Sequence, residues 1–270
     1  MEMCEKVSKL VNQVREKNPL VHHITNYVTV NDCANITLAI GGSPVMADDI
    51  NEAAEMTSVA SALVINIGTL NSRTIESMMA SGKRANELGI PVVLDPVGVG
   101  ATAFRTKTTE NLIKNIKFSV VRGNYSEIKI LAGEMAKLKG VDSTGSEEGA
   151  EKIALSLSKK LNCIIAITGA RDVISDGSRI CIIENGNSML SKITGTGCMA
   201  TSLIGSFCGA SSDYYLSTIA AITAMGIAGE KSFEALAVKT YLGDFKTFIL
   251  NAIASLTEED ILVGGKLYEK

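Results

Sequence analysis

Short apolar runs of strand length recur through the middle of the chain, separated by segments with apolar positions at helical spacing. The apolar runs cover residues 62–67, 91–95, 118–121 and 162–168. Helical spacing predicts helices over residues 71–88 and 105–116 and a further helix that opens near Asn124. Near-continuous apolar strands with helical crossovers are typical of a parallel sheet covered on both faces. The pattern therefore predicts an α/β fold with a mainly parallel central sheet and helices on both sides.

The N-terminal part adds one helix and two more strands to this pattern. Apolar positions at helical spacing over residues 3–17 predict a surface helix. Residues 20–26 predict a short strand with a polar end, after which Asn31 or Asp32 can cap the next helix. Residues 43–47 predict a second short extended segment.

The C-terminal half departs from the alternation of strand and helix. Two apolar runs around an Asp-Gly turn predict a hairpin, and hence an antiparallel edge near residues 171–184. Residues 139–149 predict a polar surface loop, and the chain from Gly197 to its end has an almost wholly helical pattern.

Composition limits the classes of partner. The 270 residues are 46% hydrophobic without a linker-like stretch, so we expect a single domain over residues 1–270. A net charge of -3 and 4% aromatic residues offer nucleic acid neither a basic surface nor a stacking platform. Six cysteines without a Cys-x-x-Cys pair, and a charged N-terminus, predict a reduced, cytoplasmic protein. The uncharged run 214–229 is shorter than the roughly 20 residues of a membrane helix, so it predicts a buried core helix.

Glycines alternate with small polar residues late in the chain, directly before a helical pattern begins. The backbone N–H groups of Gly195, Thr196, Gly197 and Cys198 would lack intrahelical partners there, and the helix dipole adds about half a positive charge. This stretch predicts a site for the negative charge of a phosphoryl group. A glycine-rich turn before a buried helix has the same appearance, so the interpretation depends on other segments.

Two stretches match Gly-x-Gly-x-x-Ala, at residues 98–103 and 195–200. A dinucleotide site needs this pattern directly after the first strand, with an acidic residue about 20 positions later, and neither stretch has that context. The lysine-bearing phosphate loop is also absent from the sequence. Phosphate chemistry here would therefore be of another kind.

Polar side chains stand at the ends of the predicted strands, where parallel α/β sheets bind ligands. Asn26 ends the first strand and Asp95 another. Arg122 can contact phosphate oxygens, and Asp95 with Glu127 can hold a magnesium ion with its waters. Asn124 and Glu127 have the spacing of a helix capping box as well, so both interpretations stay open.

Three further residues have interpretations that the sequence leaves open. Met46 follows a predicted strand and can line a pocket or fill the core. His22 and His23 lie within a strand, where packed and hydrogen-bonded side chains are expected rather than catalytic ones.

Four segments, in order across nearly the whole chain, resemble the hydroxyethylthiazole kinase family of the ribokinase-like superfamily. They are His23-Ile24-Thr25-Asn26, Asp95-Pro96-Val97-Gly98, Arg122-Gly123-Asn124-x-x-Glu127 and Gly195-Thr196-Gly197-Cys198. The resemblance implies a ribokinase-like three-layer α/β sandwich that uses ATP and Mg²⁺. It also implies phosphorylation of the hydroxyl of 4-methyl-5-(2-hydroxyethyl)thiazole, a step of thiamine salvage.

The resemblance assigns roles to single residues. Asn26, Met46 and Gly195 would lie against the thiazole, the first two at a subunit boundary of a homotrimer. Arg122 and Thr168 would contact ATP. These roles are what the resemblance implies, in addition to the chemistry that the residue types suggest by themselves.

Cys198 stands where most kinases of the superfamily carry Asp as the general base. Phosphoryl transfer depends mainly on positioning and charge neutralisation, so the N–H groups of residues 195–198, Arg122 and Mg²⁺ would supply most of the catalysis. Cys198 has a reference pKa of about 8.5, which a helix N-terminus lowers. We therefore expect the Cys198 thiol to orient the substrate hydroxyl or accept its proton.

Other functions fit parts of the sequence. A thiol hydrolase would use Cys198 as nucleophile and His22 or His23 as base, but it leaves Asp95 and Glu127 unexplained. A nucleotide-binding sensor without catalysis is a second alternative. The hydroxymethylpyrimidine kinase and an ATP-dependent hydrate dehydratase of the same fold usually carry Asp at the position of Cys198.

Overall fold

A computed structural model describes residues 2–133 and 147–270, and its strands form one continuous sheet. The strands in chain order are β1 (Leu20–Ile24), β2 (Ser43–Val45), β3 (Ala62–Asn66), β4 (Val92–Asp95), β5 (Val120–Asn124), β6 (Ile164–Thr168), β7 (Asp172–Ser175), β8 (Ile180–Ile183) and β9 (Leu267–Glu269). Their spatial order is β2-β1-β3-β4-β5-β6-β7-β8-β9. The first six strands in that order pair in parallel and the last three antiparallel.

Helices cover both faces of the sheet. One face packs against α1 (Glu2–Lys17), α2 (Val30–Ile40), α8 (Thr196–Ala210), α9 (Tyr214–Ala235), α10 (Leu242–Ala254) and α11 (Glu258–Gly264). The other face packs against α3 (Ala53–Val59), α4 (Ser72–Leu88), α5 (Ala103–Asn115), α6 (Tyr125–Leu131) and α7 (Glu147–Leu161).

The two faces of each strand supply two separate cores, as the period of two requires. Val64 of β3 belongs to the core beneath α8 and α9, whereas its neighbours Leu63 and Ile65 belong to the core on the other side. The predicted core helix is confirmed within α9, where residues 215 and 217–229 are buried. Among the described residues, no helix combines the length and the hydropathy that a membrane span requires.

The sheet brings polar strand ends to one edge. In the parallel pair of β3 and β4, Asn66 lies opposite Asp95. In the pair of β5 and β6, Asn124 lies opposite Thr168. Because these strands run in the same direction, their carboxyl ends converge beside the beginning of α8, which also packs on β1, β3 and β4.

Two sequence expectations about the second half of the chain need adjustment. The chain after Gly197 is almost wholly helical, as expected, but β9 near its end pairs with β8 and extends the predicted antiparallel edge to three strands. Its three residues are too few for a periodic pattern to identify. Residues 147–149 of the predicted polar loop begin α7, and residues 139–146 lie outside the described part.

Two boundaries near the polar strand ends also differ from expectation. Neither Asn31 nor Asp32 caps α2; Thr29 takes that position, and its N–H donates to the Asn26 side chain. Strand β5 extends to Asn124, so Arg122 lies inside the strand and not after it. Neighbouring β6 decides this, because it pairs with β5 as far as Asn124.

Candidate active site

Two adjoining cavities lie at the carboxyl ends of the parallel strands, beside the N-terminus of α8. The smaller has a volume of about 370 Å³ and includes Asn26, Asp95 and Cys198 in its lining. The larger, of about 520 Å³, includes Thr168 in its lining together with apolar side chains of α9. Arg122 lines both cavities, so one guanidinium faces both volumes.

Gly195 shapes the loop that opens α8. Its φ of +94° is in the left-handed region, and a Cβ there would lie 2.8 Å from the Thr29 methyl group. Within residues 2–133 and 147–270, no side chain caps α8, so the N–H groups of its first turn stay available at the cavity wall. The geometry agrees with the predicted loop that opens directly into a helix, and such a helix end attracts negative charge.

Arg122 is held in place by a side chain on one side and by backbone on the other. Its Nη2 donates to Thr168 Oγ1 at 2.5 Å, and its Nη1 lies 3.6 Å from Asp95 Oδ2. A Cβ at Gly197 would lie 2.6 Å from Nη1, so only glycine allows the guanidinium to lie against the first turn of α8. The predicted ATP contacts, Arg122 and Thr168, are therefore bonded to each other.

Asp95 is fully buried and only half of its carboxylate is satisfied. Its Oδ2 accepts hydrogen bonds from Asn66 Nδ2 at 3.0 Å and from Thr201 Oγ1 at 2.8 Å. Its Oδ1 has no partner among the described residues. Burial raises the pKa of Asp95 to about 6, although the Arg122 charge and the Thr201 hydroxyl act in the opposite direction. An unpartnered buried carboxylate oxygen at a cavity indicates a place for a ligand.

Glu127 closes a capping box at the start of α6. Its Oε2 accepts the Asn124 N–H at 2.8 Å, while Asn124 Oδ1 accepts the Glu127 N–H at 2.9 Å. Its Oε1 accepts the Gly98 N–H at 2.8 Å. The capping interpretation is therefore confirmed. Glu127 also lines the smaller cavity, and each of its oxygens keeps a second lone pair.

Cys198 receives two amide donors. Asn26 Nδ2 lies 3.3 Å and Asn66 Nδ2 3.2 Å from its sulfur. Burial and the nearby Asp95 raise the pKa of the thiol, against the smaller effect of these hydrogen bonds. The pKa of the thiol is therefore raised and not lowered as the position at a helix N-terminus predicts.

The two histidines have partners of their own, away from Cys198. His22 is buried, with Nδ1 2.9 Å from Thr57 Oγ1 and Nε2 2.8 Å from the Ala47 carbonyl. Burial lowers the pKa of His23 to about 4. No hydrogen bond in the described ranges joins either ring to the thiol, so the packed interpretation is confirmed and a thiol–imidazole pair is not formed.

The predicted substrate residues differ in placement. Asn26 lies in the smaller cavity, but its Oδ1 accepts two hydrogen bonds from Thr29 and its Nδ2 donates to Asn66 and Cys198. Gly195 lines the same cavity. Met46 follows the outermost strand, β2, is half-buried, and lines neither cavity.

Sequence reasoning missed three polar residues of the site. Asn66 ends an apolar strand just as Asn26 does, so the same rule of polar strand ends could have found it. Thr201 lies one helical turn after Cys198 and bonds Asp95. Asp172 lines the larger cavity, where its Oδ1 accepts the Gly169 N–H, and burial raises its pKa to about 7.

Comparison with known proteins identifies the family. The model of the hydroxyethylthiazole kinase family matches residues 11–259. The chain belongs to the hydroxyethylthiazole kinase family. It is 57% identical to the hydroxyethylthiazole kinase of Clostridium beijerinckii, over 99% of both chains, and 55% identical to that of Alkaliphilus oremlandii over the whole of both chains.

Solved structures agree with this family assignment. The hydroxyethylthiazole kinase of Pyrococcus horikoshii has a TM-score of 0.90 at 39% identity, over 98% of both chains. A pyridoxal kinase from Staphylococcus aureus, solved with AMP-PCP, has a TM-score of 0.60 at 16% identity, over 78% of this chain and 87% of the kinase. The predicted ribokinase-like α/β fold is confirmed.

Proposed function

We propose that this chain transfers the γ-phosphoryl group of ATP to the hydroxyl of 4-methyl-5-(2-hydroxyethyl)thiazole, a step of thiamine salvage. The observation that carries the proposal is the position of Arg122, which lines both cavities at the uncapped N-terminus of α8. One cavity would hold the nucleotide and the other the alcohol. Membership of the hydroxyethylthiazole kinase family supports this substrate.

The larger cavity fits the nucleotide. Its volume of about 520 Å³ and its apolar lining, including Ile222 and Met225, suit a planar base, while Arg122 and Thr168 stand at the end nearest the smaller cavity. A guanidinium binds phosphate oxygens through two N–H groups in one plane. The phosphates would thus lie between the two cavities, beside the first turn of α8.

The smaller cavity fits the alcohol. Gly195, whose positive φ brings its backbone close to α2, would lie against the thiazole beside Asn26. Met46 lies outside this lining, so its contact with the thiazole would be made across a subunit boundary of a homotrimer. Light scattering that reports a monomer would contradict the trimer. One domain over residues 1–270 and a cytoplasmic location, which six unpaired thiols favour, complete the proposal.

The donor set fits Mg²⁺. In the part of the chain that the structure describes, no three His, Cys, Asp or Glu side chains cluster as a complete protein cage. Mg²⁺ is usually held by one or two carboxylates together with substrate phosphates and water. Asp95, with its unpartnered buried Oδ1, and Glu127 would hold it here. The ion would neutralise charge on the phosphate oxygens.

The protein would act mainly by positioning and electrostatics. The N–H groups of residues 196–198 and the Arg122 guanidinium would stabilise the negative charge of the transferred group. Because burial and the nearby Asp95 raise the pKa of the Cys198 thiol, this group would orient the hydroxyl rather than remove its proton. The loose transition state of phosphoryl transfer makes a strong base unnecessary until the new bond has formed.

The test is ADP formation with purified protein, ATP, Mg²⁺ and a panel of small alcohols. We expect turnover with the hydroxyethylthiazole. ADP release only with the hydroxymethylpyrimidine would contradict the substrate, and release with no alcohol of the panel would contradict the kinase activity. Omission of Mg²⁺ and its replacement by Mn²⁺ are the control reactions.

A further inference from the structure

Asn66 joins two functional residues of the smaller cavity by a single amide group. It is the last residue of β3 and only 2% exposed, so it lies behind the cavity wall. Its Nδ2 donates to Asp95 Oδ2 at 3.0 Å and to Cys198 Sγ at 3.2 Å. Both residues line the smaller cavity, Asp95 as a proposed ligand of Mg²⁺ and Cys198 as the group proposed to orient the alcohol.

The orientation of this amide is determined by its other contacts. Asn66 Oδ1 accepts the Gly68 N–H at 2.9 Å and Asn26 Nδ2 at 3.1 Å. A backbone N–H can only donate, so the carbonyl side of the amide must face Gly68 and the N–H₂ side must face Asp95 and Cys198. All four hydrogen-bonding positions of the amide are occupied.

The same contacts determine the direction of the S–H proton of Cys198. Cys198 accepts from Asn66 and from Asn26, so its two amide neighbours both act as donors. The S–H proton therefore points away from both amides; the Thr29 side chain also hydrogen-bonds the thiol, and Cys198 lines the smaller cavity. Removal of the Asn66 donors would leave Asp95 held by Thr201 and Cys198 held by Asn26, so each group would lose one of its side-chain donors.

We propose that Asn66 is a positioning residue for phosphoryl transfer, whose amide fixes Asp95 and Cys198 relative to each other at the wall of the smaller cavity. The proposal rests on the proposed function. Asn66 touches neither cavity, so it acts through its two neighbours. A shift of about 1 Å in a positioned group can reduce a rate by about 100-fold, which sets the expected effect.

Asn66→Asp is the decisive variant, because it keeps the size and an acceptor oxygen but removes the two N–H donors. We expect kcat with the thiazole alcohol to fall about 100-fold. The KM for ATP should stay near the wild-type value, since Arg122 and Thr168 are unchanged. If Asn66 were needed only for folding, the fall in kcat would be accompanied by a matching loss of folded protein. The circular dichroism and the Tm of the variant are therefore measured on the same preparation.

A second readout does not depend on turnover. Cys198 is half-buried while the other five cysteines are buried, so iodoacetamide should modify Cys198 first, as peptide mapping can verify. In Asn66→Asp the loss of a donor and any added negative charge both disfavour the thiolate. We expect alkylation of Cys198 at pH 8 to be at least about threefold slower, a factor set by thiolate population.

Asn71→Asp is the matched control, with the same substitution five residues later. Asn71 caps α4 by accepting the Thr74 N–H, which Asp can do equally well. We expect wild-type kcat and wild-type alkylation from it. Wild-type values of either quantity in a folded Asn66→Asp variant would overturn the proposal, and so would a raised KM for ATP with kcat unchanged.

Two outcomes separate this inference from the proposed function. If Asn66→Asp does not fold, Asn66→Ala is measured for the same kcat and KM split, and failure of both variants to fold would make Asn66 a folding residue and overturn the proposal. If wild-type protein phosphorylates no alcohol, the proposed function fails. The alkylation rates would still decide the contact between Asn66 and Cys198 in that case.

Discussion

Gly197→Ala tests the position of Arg122 without removing its charge. A Cβ at residue 197 would lie 2.6 Å from Arg122 Nη1 and 3.0 Å from Nη2. The guanidinium is the far end of a flexible side chain, so it can move away at little cost to the fold. Its 2.5 Å hydrogen bond to Thr168 would be lost or bent.

The size of the expected fall in kcat/KM for ATP follows from the hydrogen bonds to phosphate that the displaced guanidinium would lose. Hydrogen bonds to charged groups are worth about 1.5–3 kcal/mol. With a factor of ten for about 1.4 kcal/mol, kcat/KM for ATP should fall about 10- to 150-fold. Arg122→Ala sets the upper limit, since it removes the group altogether. The assay is steady-state ADP formation at varied ATP with saturating thiazole alcohol.

Gly243→Ala provides the control for Gly197→Ala. Gly243 is the second residue of α10 as Gly197 is of α8, and a Cβ on Gly243 would meet no atom within 4 Å. Alanine is favoured over glycine in helices by up to about 1 kcal/mol, so neither variant should melt earlier for backbone reasons. If Gly197→Ala folds and uses ATP as efficiently as Gly243→Ala, the reasoning about Arg122 is refuted.

Three further predictions follow from the site. Cys198→Ala should keep measurable kinase activity, and Cys198→Asp should keep or raise it, because no covalent intermediate passes through sulfur; complete loss in both folded variants would restore nucleophilic catalysis as an alternative. Glu127→Gln should lower Tm, because the amide nitrogen of Gln would face one of the two backbone N–H groups that the carboxylate accepts. It should also raise the Mg²⁺ concentration that the enzyme requires, because the charge that binds a hard cation is lost. A lower Tm with unchanged Mg²⁺ dependence would show that Glu127 acts only as a helix cap. Burial raises the pKa of Asp172 from 3.8 to about 7, so the stability of the wild type falls as the pH rises through that range. Asn stays neutral at every pH. The Tm of Asp172→Asn should therefore exceed the wild-type Tm by more at pH 8 than at pH 4. A pH-independent difference in Tm would contradict this shift.

Local pattern was sufficient for most of the architecture. The apolar runs that became β3, β4 and β6 are buried on both faces, which makes them continuous and recognisable without any neighbour. The loop at Gly195 was identifiable as well, because glycines that alternate with small polar residues before a helical pattern indicate a tight turn; the structure adds that Gly195 has a positive φ. The polar strand ends Asn26 and Asp95 followed from the rule that ligands bind at the carboxyl ends of parallel strands.

Pairing between distant segments decided what the local pattern missed. Strand β9 forms because its three residues pair with the edge strand β8. Strand β5 reaches Asn124 because β6 pairs with it that far. The pKa of Cys198 also depended on the fold. Burial of this thiol and the nearby Asp95 raise its pKa, against the hydrogen bonds with Thr29, Asn26 and Asn66, and only the fold brings these groups together.

The sequence by itself therefore determined the fold class, the glycine-bearing loop that opens α8 and the residue types of the candidate site. It could not determine which polar groups bond each other. Asn66 and Cys198 are 132 positions apart, and Arg122 meets Thr168 across 46. Hydrogen bonds between such distant residues depend on strand order and register, which only the tertiary structure specifies, because side chains that converge at one sheet edge leave no periodic trace along the chain.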